Sequence, residues 1–404
     1  MAIGSLMGGL TIQKYGRKQT HLIICLPFWI GWILIYYAFN LEMLLVGRFL
    51  TGLSSGMIGP ATGVYIGETS EPKYRVVLLG GLSLAVTSGV LVSHLLGTYL
   101  SWQTTALIIS SLPLISYILM IFTPESPAWL AQNGLIEEAR QAFYWLRGVS
   151  DESSKELEQI LAKYKERNQE EVLRNFKSYL QELLNPEFWK PMVVLLVFFI
   201  TSQWAGVNAV NFYSVTLMKE TLGDSMDEYL ATFIIDCIRL VASIVACFLV
   251  RNIGRRPLAL VGGLGTFLPL FVLSAFIHFS PQLPLNTTDL LAVPLTCLLT
   301  YVFFVTAGFV TLPWTLLGEL LPLSKRSTGS GIASGIAYLS IFTVVKVMPQ
   351  MFDNLGVDGT FLVYGCMAFC GTIFVYLCLP ETKGKTLFEI EEHYRQNHAV
   401  DLKL

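Results

Sequence analysis

Residues 14–39 read KYGRKQTHLIICLPFWIGWILIYYAF, and residues 251–280 read RNIGRRPLALVGGLGTFLPLFVLSAFIHFS. Each opens on a basic turn, Gly16-Arg17-Lys18 in one and Gly254-Arg255-Arg256 in the other, and runs on as an apolar stretch. About 20 helical residues are enough to cross the hydrocarbon core of a bilayer. Basic residues at one end of such a stretch place that end on the cytoplasmic side. The same signature at two places indicates that a membrane-spanning unit occurs twice.

The composition agrees. Of 404 residues, 53% are hydrophobic and 14% charged, and the mean hydropathy is +0.57. Soluble domains carry about 25% charged residues. The chain is therefore not disordered, not a nucleic-acid binder and not an ordinary soluble enzyme; it reads as an all-α membrane protein. Full spans are predicted near 20–39, 44–66, 76–98, 104–123, 190–218, 228–250, 257–280, 290–317, 326–350 and 360–379, while residues 1–12 are apolar but too short to cross. The seven cysteines lie in apolar runs and read as small buried hydrophobes. The five histidines form no cluster in sequence. No metal-ligand spacing, catalytic triad or phosphate-cradling loop is present, so no cofactor, metal or enzymatic activity is expected.

Numbering the segments between spans alternately puts all but four of the 27 Lys and Arg on one side. The four are Arg48, Lys219, Arg239 and Lys346, and the bias survives when the long middle loop is discounted. That side is cytoplasmic by the positive-inside rule, and it carries the C-terminal tail. Residues 124–189 are charged and amphipathic at Glu137–Arg147 and Glu152–Arg167, which suggests cytoplasmic linker helices. On the opposite face Asn286-Thr287-Thr288 is a glycosylation sequon. The predicted organisation is a helical bundle over 1–123, a linker over 124–189, a second bundle over 190–379 and a tail over 380–404.

The two bundles repeat. Besides the basic turns, Glu68 is followed seven residues later by Arg75, and Glu319 by Arg326. Pro124-Glu125-Ser126 recurs as Pro380-Glu381-Thr382. Parallel repeats about the membrane normal are a transporter device, with the substrate held near the midplane between halves. Before Gly16 there is room for far less chain than the second half has before Gly254. The expectation is an N-terminally truncated relative of a twelve-span protein, lacking the first span and part of the second, with a natural eleven-segment variant as the alternative.

These motifs resemble the sugar-porter branch of the major facilitator superfamily, from about residue 4 to 391. The resemblance is carried by Gly8-Gly9-x3-Gln13-x2-Gly16-Arg17-Lys18, Arg48-x3-Gly52-x3-Gly56, Pro124-Glu125-Ser126-Pro127-x-Trp129-Leu130, Gly254-Arg255-Arg256-Pro257 and Pro380-Glu381-Thr382-Lys383-Gly384. Lys346, Pro349 and Leu312-Pro313-Trp314 look most like insect facilitated trehalose and hexose transporters. The resemblance implies a plasma-membrane carrier moving a hexose or a disaccharide such as trehalose or glucose by facilitated diffusion. A proton-coupled symporter is one alternative. A non-transporting sensor or inactive carrier is another, motivated by the missing span.

Candidate residues follow. Arg17, Lys18, Glu68 and Arg75 can pair at one set of cytoplasmic helix ends, and Arg255, Arg256, Glu319 and Arg326 at the other. They serve either as topology anchors or as a gate latch. A sugar site needs neutral amides and a flat aromatic in a largely apolar cavity. Gln203, Asn208 and Tyr213 fall where the resemblance places the amide-rich segment, although membrane amides also bond helix to helix. Trp314 matches the family's aromatic platform. Thr306, Ser83, Phe309, Val310, Ala337, Tyr338 and Ile341 depart from the family pattern and make the site poorer in amides. Asp236 and Arg239, three apart on one helix face, are either an internal ion pair or substrate contacts.

Overall fold

A computed structural model describes residues 1–150, 186–213, 227–280, 287–321 and 326–383, with isolated positions at 153, 154, 157, 158, 161, 215 and 217. Of Arg75 and Arg326 only the backbone is described. Among the described residues the elements are helices: α1 (Ala2–Tyr15), α2 (Arg17–Tyr36), α3 (Leu41–Thr69), α4 (Pro72–Tyr99), α5 (Trp102–Ile121), α6 (Pro127–Gln132), α7 (Ile136–Arg147), α8 (Pro186–Trp204), α9 (Val207–Phe212), α10 (Glu228–Asn252), α11 (Arg255–Phe279), α12 (Thr287–Phe304), a π-helical turn (Val305–Val310), α13 (Thr311–Leu320) and α14 (Arg326–Cys378). Their starts are chemically marked. The Asn40 side chain accepts from Met43 N–H, Ser101 from Thr104 N–H and Asp227 from Leu230 N–H, each satisfying a donor that has no partner inside the helix.

Eight of the described stretches are long and apolar enough to cross a membrane. The ten predicted spans reconcile with these eight in two ways. Helix α14 counts once, although it turns at Gly356 (φ 73) and so contains both of the last predicted spans. The predicted 190–218 span is broken at Ala205-Gly206 into α8 and α9, and of α8 the stretch Phe188–Trp204 stands as a shorter apolar helix beside the eight. The linker helix expected at Glu137–Arg147 is present as α7. Most of Glu152–Arg167, the sequon at Asn286 and the tail beyond 383 lie outside the described residues.

In the first half α2 packs between α3 and α5, and α1 lies along α3; in the second, α11 packs on α12 and α14, and α8 on α14. The larger apolar core belongs to the second half, where Phe198, Phe199, Tyr301, Phe309, Phe361 and Tyr364 are almost fully buried. Outward-facing positions stay apolar, as with Leu107, Ile108, Leu112 and Ile115 on α5. That pattern suits lipid as solvent, in which backbone polar groups must be satisfied within the helix. The cysteine expectation needs correction. Cys25 is buried, but Cys366, Cys370 and Cys378 are exposed on the outer face of α14, because that face meets lipid rather than core. The halves meet along α1 with α14 and along α4 with α10.

Candidate functional site

The chain makes the same corner twice. At the first corner the Arg17 guanidinium pairs with Glu68 at 2.5 Å, and Ser126 Oγ donates to the other oxygen of that carboxylate. Glu125 accepts from the backbone N–H groups of Arg17 (2.8 Å), Lys18 and Ser126 (2.8 Å). Arg17 also reaches back to the carbonyl of Ile12, and Lys18 Nζ to that of Ile121. Gly16 is required here. Its φ of 90 and ψ of 175 lie in a region open to glycine almost alone, and a Cβ would sit 2.5 Å from Glu125 Oε2.

At the second corner Arg255 grips Glu319 with Nη2 at 2.7 Å and Nε at 3.2 Å, while Thr382 Oγ1 donates to Glu319 Oε2 at 2.7 Å. Glu381 accepts from the N–H groups of Arg255, Arg256 and Lys383. Arg255 reaches the carbonyl of Val250, and Arg256 that of Tyr376. Every contact at the first corner has its counterpart here. Partial burial pushes the Glu381 carboxyl up, but the backbone donors from Lys383, Arg255, Arg256 and Thr382 outweigh it and hold the group below its usual value.

Glu68 with Arg17, and Glu319 with Arg255, are among the pairings expected at these helix ends. Each carboxylate pairs inside its own half. The Lys18 ammonium goes to a backbone carbonyl. The anchors Glu125 and Glu381 carry no mark in the sequence as network members beyond their recurrence in Pro-Glu-Ser and Pro-Glu-Thr. The side chains of Arg75 and Arg326 lie outside the described residues.

The predicted sugar-site residues gather around the break between α8 and α9. Gly206 (φ 87) makes the break, and a Cβ there would sit 2.3 Å from the Tyr364 ring. Gln203 is buried and accepts from Asn208 Nδ2 at 2.5 Å across the break. Tyr301 Oη donates to the freed carbonyl of Ala205 at 2.8 Å. Trp314 stands edge-on to Phe199, one turn before Gln203, with ring centroids 4.9 Å apart; Tyr338 lies 5.8 Å from Trp314 on another side. Tyr213 is partly buried against the same core. The π turn precedes α13, and Thr311 Oγ1 caps the carbonyl of Thr306 at 2.6 Å. Such turns recur where a helix departs from regular pitch to aim a side chain.

The Asp236–Arg239 pair is looser than expected, with Nη1 3.9 Å from Oδ1. Arg239 instead donates to the Asn211 side chain, and Asp236 is held by His94 Nδ1 at 2.5 Å. His94 belongs to α4 and Asp236 to α10, so this contact joins the two halves. Sequence reading missed it because a lone histidine in an apolar run shows no partner until the helices are brought together.

An all-helical chain with repeated basic corners and a broken, amide-bearing helix near its centre has the plan of a transporter of the major facilitator superfamily. The match to solved structures bears out the fold. The xylose symporter XylE bound to 6-bromo-6-deoxy-D-glucose superposes with a TM-score of 0.81 at 23% identity, covering 97% of this chain and 86% of that one. The family described as sugar (and other) transporters matches residues 1–394. The chain belongs to that family: it is a multi-pass membrane transporter, not an enzyme, and a small-molecule sugar is the substrate class. It is 34% identical over 396 residues to a protein named facilitated trehalose transporter Tret1 from Apis mellifera ligustica, covering 97% of this chain and 77% of that one. The Bombyx mori counterpart is 33% identical over 96% of this chain and 76% of its own length. The Drosophila mojavensis counterpart is longer, and only 44% of it is matched.

Proposed function

We propose that this protein carries trehalose or a hexose such as glucose across the plasma membrane by facilitated diffusion, with the tail in the cytoplasm. The halves 1–123 and 190–379 rock about a shared site, joined by the 124–189 linker. The observation that carries this reading is the Gln203–Asn208 amide pair at the break between α8 and α9. Two amides bonded to each other in a buried, apolar setting are already oriented, and their remaining donors and acceptors suit sugar hydroxyls. Trp314 offers a ring face, while Tyr213, Asp236 and Arg239 flank the break. No nucleotide is needed, because the sugar gradient supplies the driving force.

The corner networks act as stiffeners and as part of a cytoplasmic gate. Arg17 with Glu68, and Arg255 with Glu319, keep each half rigid while it rocks; Lys18 and Arg256 pin the same corners to backbone carbonyls, and Arg75 and Arg326 belong to the same helix ends. Glycosylation of Asn286 on the outer face fits this orientation.

The test is uptake of radiolabelled trehalose and glucose by purified protein in liposomes. Gln203→Ala is expected to cut flux at least tenfold with normal reconstitution, a loss of about 1.4 kcal/mol or more of binding or barrier energy. Unchanged flux would remove Gln203 from the site. Sugar-driven proton movement in the same vesicles would replace facilitation by symport, and saturable binding without counterflow would replace transport by sensing.

A further inference from the structure

His94 and Asp236 join the two halves of the chain through ionisable groups. Among the described residues, neutral polar links also cross this boundary: Ser5 Oγ to the carbonyl of Gly331 at 3.1 Å, Gln13 to Thr328 at 3.4 Å, and Ser83 to Thr311 at 3.2 Å. His94 lies five residues before the end of α4 at Tyr99, and Asp236 eight residues after the start of α10 at Glu228. Both ends are on the face opposite the basic corners. Nearer those corners α4 and α10 stay close, since a Cβ at Gly80 would lie 3.1 Å from Cys247 Sγ. Parting the halves on the outer side must therefore separate His94 from Asp236.

Imidazole changes its charge between pH 5 and 8, and a charge-assisted hydrogen bond is roughly twice as strong as a neutral one. The Asp236 side chain is only 2% exposed, so water screens it little. The groups facing the pair can be named element by element. From α10 come Arg239 and, next to Asp236 in sequence, Cys237. Behind Arg239 stands Tyr301 of α12, with Tyr364 of α14 beside it. From α9 comes the neutral Asn211, and on α4 itself Thr98 bonds the carbonyl of His94. Arg239 is a permanent cation close to Asp236, and its Nε and Nη2 are buried without a partner among the described residues.

We propose that His94 is a proton-binding site whose occupancy ties the outer ends of α4 and α10 together. Protonated His94 holds Asp236 across the halves; loss of the proton weakens the tie and lets the outer side open. The proton is taken up and released on the same side, so it sets the balance between conformers without being carried through. The proposal rests on the alternating-access reading for what the opening accomplishes. Linkage makes the effect reciprocal, so the closed conformer binds the proton more tightly by the same factor by which the proton favours closure.

The test reads conformation without needing a sugar. Spin labels are placed at Tyr99 and Tyr229, on the outer ends of α4 and α10, with Cys366, Cys370 and Cys378 replaced by Ser, in the full chain in liposomes. Between pH 8 and pH 5.5 the ratio of short to long distances is expected to rise about five- to tenfold, within the usual range of coupling between two sites. In H94Q, which keeps a hydrogen-bonding side chain, that rise is expected to vanish. In H94R, which is permanently charged, the short distance is expected to dominate at both pH values. A distance ratio that ignores pH in the parent, or that responds equally in H94Q, overturns the proposal. Trehalose uptake by the same vesicles reports separately on the transport reading.

Discussion

The two cytoplasmic corners are built to one plan but held with different firmness. Arg17 meets Glu68 through one terminal nitrogen, whereas Arg255 meets Glu319 through Nε and Nη2. Gly16 has a backbone that other residues resist, while Gly254 has an ordinary φ of −61 and is constrained only by the Glu381 carboxylate against it. The second corner therefore depends on side-chain grip and the first on backbone shape. A duplicated unit can keep one function at each copy while moving its stability from one kind of interaction to another.

Cutting the central carboxylate should break both corners, and the second one more. Glu319→Gln and Glu68→Gln each strand a buried arginine. Breaking a buried pair costs about 3–5 kcal/mol, reduced here to about 2–3 because each glutamate is about a fifth exposed. Glu319→Gln is expected to lower the melting temperature in detergent further, since it also loses more donors. Equal losses would mean that the forked contact adds nothing.

The glycine substitutions should reverse the order. Gly16→Ala places a side chain in a glycine-only region and is expected to cost about 1–3 kcal/mol. Gly254→Ala keeps an ordinary backbone and must push the Glu381 carboxylate off its backbone donors, and it should cost less. Thermal melts of the two variants check this, and a larger loss for Gly254→Ala would refute the division between shape and grip.

Arginine-to-lysine changes sharpen the same point at smaller scale. Arg255→Lys loses the fork and is expected to cost about 1 kcal/mol more than Arg17→Lys, because a lysine is a point charge without paired donors. The smallest effect is that of acid. The Glu381 carboxyl is held below its ordinary value of 4.5, so its contribution is full above that value and fades as pH falls through the lowered one. A melting profile from pH 6 to pH 3 should decline below about 4.5 in the parent. It should decline less steeply in Glu381→Gln.

The helices and the duplication were legible because both rest on local facts: apolar length, basic flanks and recurring turns. The break between α8 and α9 was harder to read. Gly206 falls inside a stretch that reads as one span, and glycine is common in membrane helices without breaking them. The candidate site was legible in its amides and in Trp314 only through the family resemblance. Asp236 shows why pairing was not. Sequence displays its neighbour three residues on, Arg239, while the closer partner His94 is brought in by the packing of a helix 142 residues away.

The π-helical turn at Val305–Val310 has a consequence for how such a site diversifies. Its hydrogen bonds run i→i+5, so the turn holds one residue more than a regular i→i+4 turn. Removing one residue there would let the turn close at regular pitch while Trp314 keeps its direction toward Phe199 and Tyr338. The side chains re-aimed would be those of the turn itself, the buried row from Val305 to Phe309. A change of length by one residue is thus a dial for the inner lining, and it leaves the aromatic wall beyond it in place.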